Sequence, residues 1–205
     1  MIKIADHLWV DAIGEEETLR PLVTPEDRAR VETITSAQRR REWLSWRALL
    51  YRQVGQLPIT YTDYGAPLLP AGQGYIGVSH NARRVALCYS PWGPCAVDLD
   101  SSERRFEAVR SRYLNPTEEQ LSAHPAWLCI AWCAKECLYK LARRTGLDLR
   151  RDLRLEAPEF GANGTEGILV GHLPDRSYRL RFCCIEKDWL VWYSPEEPTQ
   201  TSQPK

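Results

Sequence analysis

Asp98 and Asp100 lie in the run Ala96-Val97-Asp98-Leu99-Asp100. A strand's period of two sends both carboxylates to one face and Val97 and Leu99 to the other. Two carboxylates side by side repel unless a cation sits between them. Hard oxygen donors at this spacing suit Mg²⁺, which takes one or two carboxylates, several waters and substrate phosphates. The same pattern also describes a strand end entering solvent with two solvated acids. Glu136 and Lys140 stand four apart in the run Trp127–Leu141, off the apolar stripe Trp127, Ile130, Ala131, Ala134, Leu138 and Leu141. A Glu-to-Lys pair at that spacing can simply stabilise a helix, by ~0.2–0.5 kcal/mol. Alternatively, Glu136 is a third carboxylate on the same ion and Lys140 an ammonium for a phosphate.

Ser79-His80-Asn81 ends a strand just before Arg83-Arg84. Adjacent strand residues point to opposite faces, so a nucleophilic Ser79 with His80 as its base is not expected. Phosphate contact or turn capping remain. Gly72, Gly74 and Gly77 spell GxGxxG, but a strand follows rather than a helix whose N-terminus could hold a pyrophosphate. Seven Arg fall between Pro25 and Val54. Arg40 and Arg47 share a helical face away from the Trp residues, which is either a solvated face or an anion clamp.

Pattern alone supplies the elements that must position these groups. Ile2–Val10 reads as a strand. Thr24 caps a helix with Pro25 at its first position, and Ser36 caps a longer one ending at Gly55. In the latter, Trp43, Trp46, Leu50 and Val54 form one apolar stripe. Ile59–Thr62, Tyr75–Ser79, Val85–Tyr89 and Cys95–Asp100 read as strands. Glu103–Leu114 reads as a helix, and Ala126–Thr145 as a long helix closed by Gly146. Strands follow near Ile168–Val170, Tyr178–Ile185 and Trp189–Tyr193. The fold class is therefore α+β: two halves, each strand, helices, then strands, at residues 1–94 and 95–194. Residues 195–205 read as a disordered tail.

Composition narrows the function. The 27 cations balance 27 acids, so no net field draws the chain to nucleic acid or to a membrane surface. Of the cations 22 are Arg, the residue best shaped for phosphate and carboxylate. No run approaches the ~18 apolar residues of a membrane span, and the start lacks a secretory leader's layout, which points to a cytoplasmic protein. Seven Cys without a CxxC pair are not a disulfide framework. Cys129, Cys133 and Cys137, spaced by four, read as buried small apolar residues rather than zinc ligands.

In chain order the sequence gives Arg40-Arg41-Glu42-Trp43-Leu44-x-x-Arg47, Tyr64-Gly65-Ala66-Pro67, Val78-Ser79-His80, Val97-Asp98-Leu99-Asp100 and Trp132-Cys133-Ala134-Lys135-Glu136-x-x-x-Lys140. This series resembles the 4′-phosphopantetheinyl transferases of the two-domain Sfp type. The resemblance implies two pseudo-duplicated subdomains with mainly antiparallel sheets around a central cleft, usually in a monomer. It implies that Asp98, Asp100 and Glu136 hold Mg²⁺ (with Mn²⁺ able to stand in) against the pyrophosphate of coenzyme A. Ser79, His80 and Lys140 would lie at its phosphates, and Arg40 and Arg47 near the adenosine 3′-phosphate. The N-terminal half would be the nucleotide side, and the C-terminal half the metal and catalytic side. The expected reaction moves the phosphopantetheine arm of coenzyme A to a serine of an apo acyl or peptidyl carrier protein. Glu136, or a metal-held water beside it, would be the base, with Lys140 and Asp98 as its catalytic partners.

The chain departs from the pattern at Ala66, where the family usually carries Lys; Arg83 or Arg84 is the nearest replacement in sequence. Asp100 is one methylene shorter than the usual Glu. Two other functions compete with the transferase reading. One is a degraded relative that binds coenzyme A or a carrier without catalysis. The other is an Arg- and Trp-rich nucleic-acid binder, disfavoured by the zero net charge.

Overall fold

The computed structural model describes residues 1–197. Strands β1 (Ile2–Ala5) and β2 (Leu8–Ala12) begin the chain. Helices α1 (Glu16–Leu19), α2 (Pro25–Glu32) and α3 (Ala37–Gln53) follow. Strands β3 (Thr60–Tyr61), β4 (Pro67–Leu68), β5 (Tyr75–His80), β6 (Arg84–Ser90) and β7 (Ala96–Ser101) lead to α4 (Pro116–Glu119) and α5 (Trp127–Ala142). The chain then forms β8 (Arg154–Leu155), β9 (Glu159–Phe160), β10 (Glu166–His172), β11 (Ser177–Ile185) and β12 (Asp188–Tyr193).

Two main sheets result, ordered β1-β2-β6-β5 and β7-β12-β11-β10-β8, with β9 on β10. All their ladders are antiparallel. In each sheet an early strand (β2 or β7) pairs with the last strand of its half (β6 or β12), which hairpins with the one before it. The two sheets thus share this three-strand order, while β1 in the first and β10, β8 and β9 in the second have no counterpart, and the fold is α+β.

Strand alternation sorts the core into layers. Trp9, Val85 and Leu87 face α3, while Leu8, Val10, Ala86 and Cys88 face the second sheet. There they meet Val97, Leu99, Leu190 and Trp192. The opposite face of the second sheet, with Ala96, Phe182, Trp189 and Val191, packs on α5. The order helix, sheet, sheet, helix gives the halves one shared apolar layer. At its edge β5 runs beside β7, so closely that a Cβ on Gly77 would come within 2.9 Å of Ala96 Cα. Gly77→Ala should therefore cost about 1–3 kcal/mol, read as a lower urea midpoint, because only backbone can yield.

Several elements differ from the sequence reading. Ile2–Val10 is a hairpin, not one strand: Asp6 and His7 turn the chain, His7 at φ 60°. Glu103–Leu114 is not a helix but two 3₁₀ turns, Phe106–Ala108 and Arg110–Arg112. Ser102, placed to cap such a helix, donates to Lys187 O instead, and Arg104 is drawn back to Asp100. The long helix stops at Ala142 because Arg143 takes a left-handed conformation, φ 51°, three residues before Gly146. Thr24 and Ser36 do cap their helices, accepting from Asp27 N and Arg39 N. The tail expected at 195–205 lies largely outside the described residues. Among the described residues no helix is long and apolar enough to cross a membrane.

Candidate active site

β7 alternates as its sequence requires. Val97 and Leu99 enter the shared apolar layer, and Asp98, on Ala96's side, turns to α5. Lys140 of α5 reaches across to it: Nζ lies 2.7 Å from Asp98 Oδ1, 2.8 Å from Val97 O and 3.3 Å from Val78 O. One ammonium therefore ties together β5, β7 and α5, and its three protons are all engaged. Burial alone would lower the Lys140 pKa, but the charge and hydrogen bond of Asp98 outweigh it and hold the pKa above its ordinary value.

Ser79 completes the join. Its hydroxyl donates to Asp98 Oδ1 at 2.8 Å and accepts from Leu99 N at 3.1 Å. His80, its neighbour, points the other way, half-exposed and 3.5 Å from Glu42 Oε2. That opposition removes any Ser–His nucleophile, as strand geometry demands.

Glu136, one turn before Lys140, has no ion-pair partner among the described residues. Burial, and then the negative charge of Asp98, push its carboxyl above the usual range, with Lys140 and Arg104 only partly opposing. The sign for stability follows from proton counting. Unfolded, the group titrates near 4.5; folded, it keeps its proton to higher pH. Across that window the folded state binds more protons, so stability should fall as pH rises through it. Urea midpoints in EDTA should show this fall in the native chain and lose it in Glu136→Gln.

Asp100 shares the face of Asp98, but its Oδ2 is held by Arg104 Nη1 at 2.5 Å and its Oδ1 accepts from Ser101 N. Arg104 itself lies over the Trp132 ring, 4.8 Å from its centroid. As the side chains stand, no three His, Cys, Asp or Glu side chains among the described residues converge on one ion position. Of the three acids expected to act together, Asp98 is engaged by Lys140 and Ser79, Glu136 is buried within the field of Asp98, and Asp100 is drawn aside by a guanidinium. Two carboxylates do fit Mg²⁺ or Mn²⁺ when substrate phosphates and water supply the other ligands. Glu136, a buried carboxyl in the field of a second acid and without an ion-pair partner among the described residues, is the feature such an ion would relieve.

Neither Arg40 nor Arg47 of α3 stands where its periodicity suggested. Arg47 is buried, 4.5 and 4.3 Å from the Trp43 and Trp46 ring centroids, with Nη2 on Tyr61 Oη and Nε 3.5 Å from Asp27 Oδ1. It lies among the Trp residues rather than away from them, because its flat cation stacks well on indole. Arg40 bonds Glu16 and the carbonyls of Ile34 and Thr35. Arg83 and Arg84, the sequence-neighbour replacements for the cation missing at Ala66, are held by the buried Asp188 of β12, which also accepts from Asn81 Nδ2.

Beside this centre opens a cleft of about 640 Å³, bounded by the loop Tyr64–Gly72, β5, the connector around Trp92 and one side of α5. Glu136, Tyr139, Lys140, Arg143 and Arg144 line it. Arg143, Arg144 and the exposed aromatics Tyr75 and Trp92 gave no sequence signal as cleft residues, whereas the exposed Tyr64 belongs to the Tyr64-Gly65-Ala66-Pro67 motif. They fall on separate elements, and only the tertiary fold brings them together.

A family model for the 4′-phosphopantetheinyl transferase superfamily (ACPS) matches residues 94–202. No curated protein matches the chain.

Proposed function

The chain belongs to the 4′-phosphopantetheinyl transferase superfamily, and from that premise we propose that it moves the phosphopantetheine arm of coenzyme A onto a serine of an apo carrier protein. The observation that carries the reading is that Glu136 and Lys140 line one cleft while Asp98, on the neighbouring strand, holds Lys140 from behind. The serine hydroxyl forms a bond to the β-phosphorus of coenzyme A. The bond from that phosphorus to the bridging oxygen breaks, and adenosine 3′,5′-bisphosphate leaves.

Each side chain has a role in this step. Glu136 accepts the serine proton at a carboxylate oxygen. Lys140, fixed by Asp98 and two carbonyls, offers a positive charge that need not reorganise as the leaving phosphate gains charge. It must exchange one of those three partners to touch the phosphate directly. Ser79 fixes Asp98, which with Glu136 would hold a divalent cation. That ion would supply positive charge to the pyrophosphate. Positioning and charge neutralisation then account for most of the catalysis, as in other phosphoryl transfers.

Intact-protein mass spectrometry tests the proposal. Apo acyl and peptidyl carriers incubated with the protein, coenzyme A and Mg²⁺ should gain the mass of one phosphopantetheine arm on serine. Binding of coenzyme A without any mass gain across a panel of carriers would favour the non-catalytic relative.

A further inference from the structure

We propose that Arg104 is a resident counter-ion that withholds Asp100 from the reacting centre and so limits how tightly the protein takes up a divalent cation. The inference rests on the reading of Asp98 and Glu136 as the acids that would hold that cation. Trp132, Glu136 and Lys140 follow one another a turn apart along one side of α5. Lys140 takes Asp98, while Arg104 reaches back from the loop after β7 to take Asp100 and lie over Trp132. Glu136 therefore stands between two acid–cation pairs, and both cations act on its carboxyl.

The resting place of Arg104 is anchored on every side. Its guanidinium lies 5.3 Å from the Phe106 ring centroid and 4.8 Å from that of Trp132. Fully buried Tyr113 meets the Trp132 ring edge-on at 5.2 Å and donates its hydroxyl to Leu128 O. Ahead of Arg104, Ser102 gives both its N–H and its hydroxyl to Lys187 O, and the Arg104 N–H returns to Ser101 O. The second oxygen of Asp100 accepts from Ser101 N, so both oxygens of that carboxylate are engaged. A flat cation stacked on two rings at the end of a pinned turn yields its carboxylate less readily than a free side chain would. Without the guanidinium, Asp100 would be a third acid on the face of Asp98, with no cation of its own. A hard divalent ion gains from each added anionic oxygen, so releasing Asp100 should tighten its binding.

Mn²⁺ titrations of the protein alone, and again with coenzyme A but no carrier, followed by loss of the free-ion EPR signal, test this. Arg104→Met keeps an apolar side chain on the rings and removes the charge, at a half-exposed position where the fold should survive. Wherever the native protein takes up Mn²⁺, this variant should bind it about tenfold more tightly, the scale on which groups beside a metal's ligands move its affinity. Asp100→Asn should stay near native, and in the double variant Arg104→Met/Asp100→Asn the gain should vanish. A gain that persists in the double variant overturns the inference, since it would come from deleting any nearby positive charge. A comparably large loss in Asp100→Asn alone also overturns it, because Asp100 would then already serve the ion. Unchanged affinity in Arg104→Met, with native binding intact, ends the inference and leaves the cation reading standing. Mn²⁺ uptake by neither protein in either series would remove both.

Discussion

Asp98→Asn should lower turnover of arm transfer on the order of 10²–10³-fold, the scale of losing one preorganised charge at a reacting centre. Asparagine keeps the size of the side chain and can still accept from Ser79, so the join between β5 and β7 should survive. What disappears is the charge that holds Lys140 protonated and that would pair with a cation. Asp100→Asn should cost much less, because Arg104 already neutralises that carboxylate away from the cleft. Steady-state transfer to an apo carrier, with the thermal midpoint measured alongside, separates chemistry from folding. Near-native turnover of Asp98→Asn would move the reacting centre elsewhere.

How much of this site the sequence carried depended on how local its cause was. The alternation of β7 needs only the period of a strand, and Val97 and Leu99 duly turned into the core. The stripe on α5 was equally legible: Trp127, Ile130, Ala131, Ala134, Leu138 and Leu141 all lie in one cluster. Arg47 was not, since nothing in helical spacing says that a cation will prefer indole faces and Asp27 to water. Asp100 likewise sits on the expected face but takes its partner from a loop that the sequence read as a helix. The cleft itself is a product of tertiary packing. Its wall combines an N-terminal loop, a connector and the end of α5, and no window of sequence spans them.

The resemblance and the geometry carry different parts of the conclusion. Motif order reached the halves before their arrangement was visible, and the family match covers only residues 94–202. The N-terminal half enters through contacts: Ser79 bonds Asp98, Val78 accepts from Lys140, and the turn after His80 is pinned to Asp188. A reacting centre built across two halves depends on both being in register. Their shared apolar layer and the close approach at Gly77 supply that register.

The largest stability effect is expected at Lys135, five residues before Lys140 and opposite in fate. Its side chain is wholly buried, with Nζ 2.7 Å from Glu118 Oε1 and 2.6 Å from Leu153 O. Burial pulls its pKa below the ordinary lysine value, and Glu118 only partly opposes this. Glu118 also accepts from Leu155 N and Asn115 N, so the pair fastens α5 to α4 and to β8. Removing one partner of a buried pair costs about 3–5 kcal/mol, because the other charge stays buried without compensation. Lys135→Met should lose that much, which at roughly 2–4 °C per kcal/mol for a chain of this size lowers the thermal midpoint by about 6–20 °C. Glu118→Gln should cost less, since Leu153 O still accepts from Lys135. The double variant should recover most of the loss, because two neutral side chains leave no charge to solvate. Turnover well below the midpoint should stay near native in Lys135→Met and collapse in Lys140→Met. Equal loss of turnover in both lysine variants, with stability intact, would place Lys135 in the chemistry and refute a purely positional role.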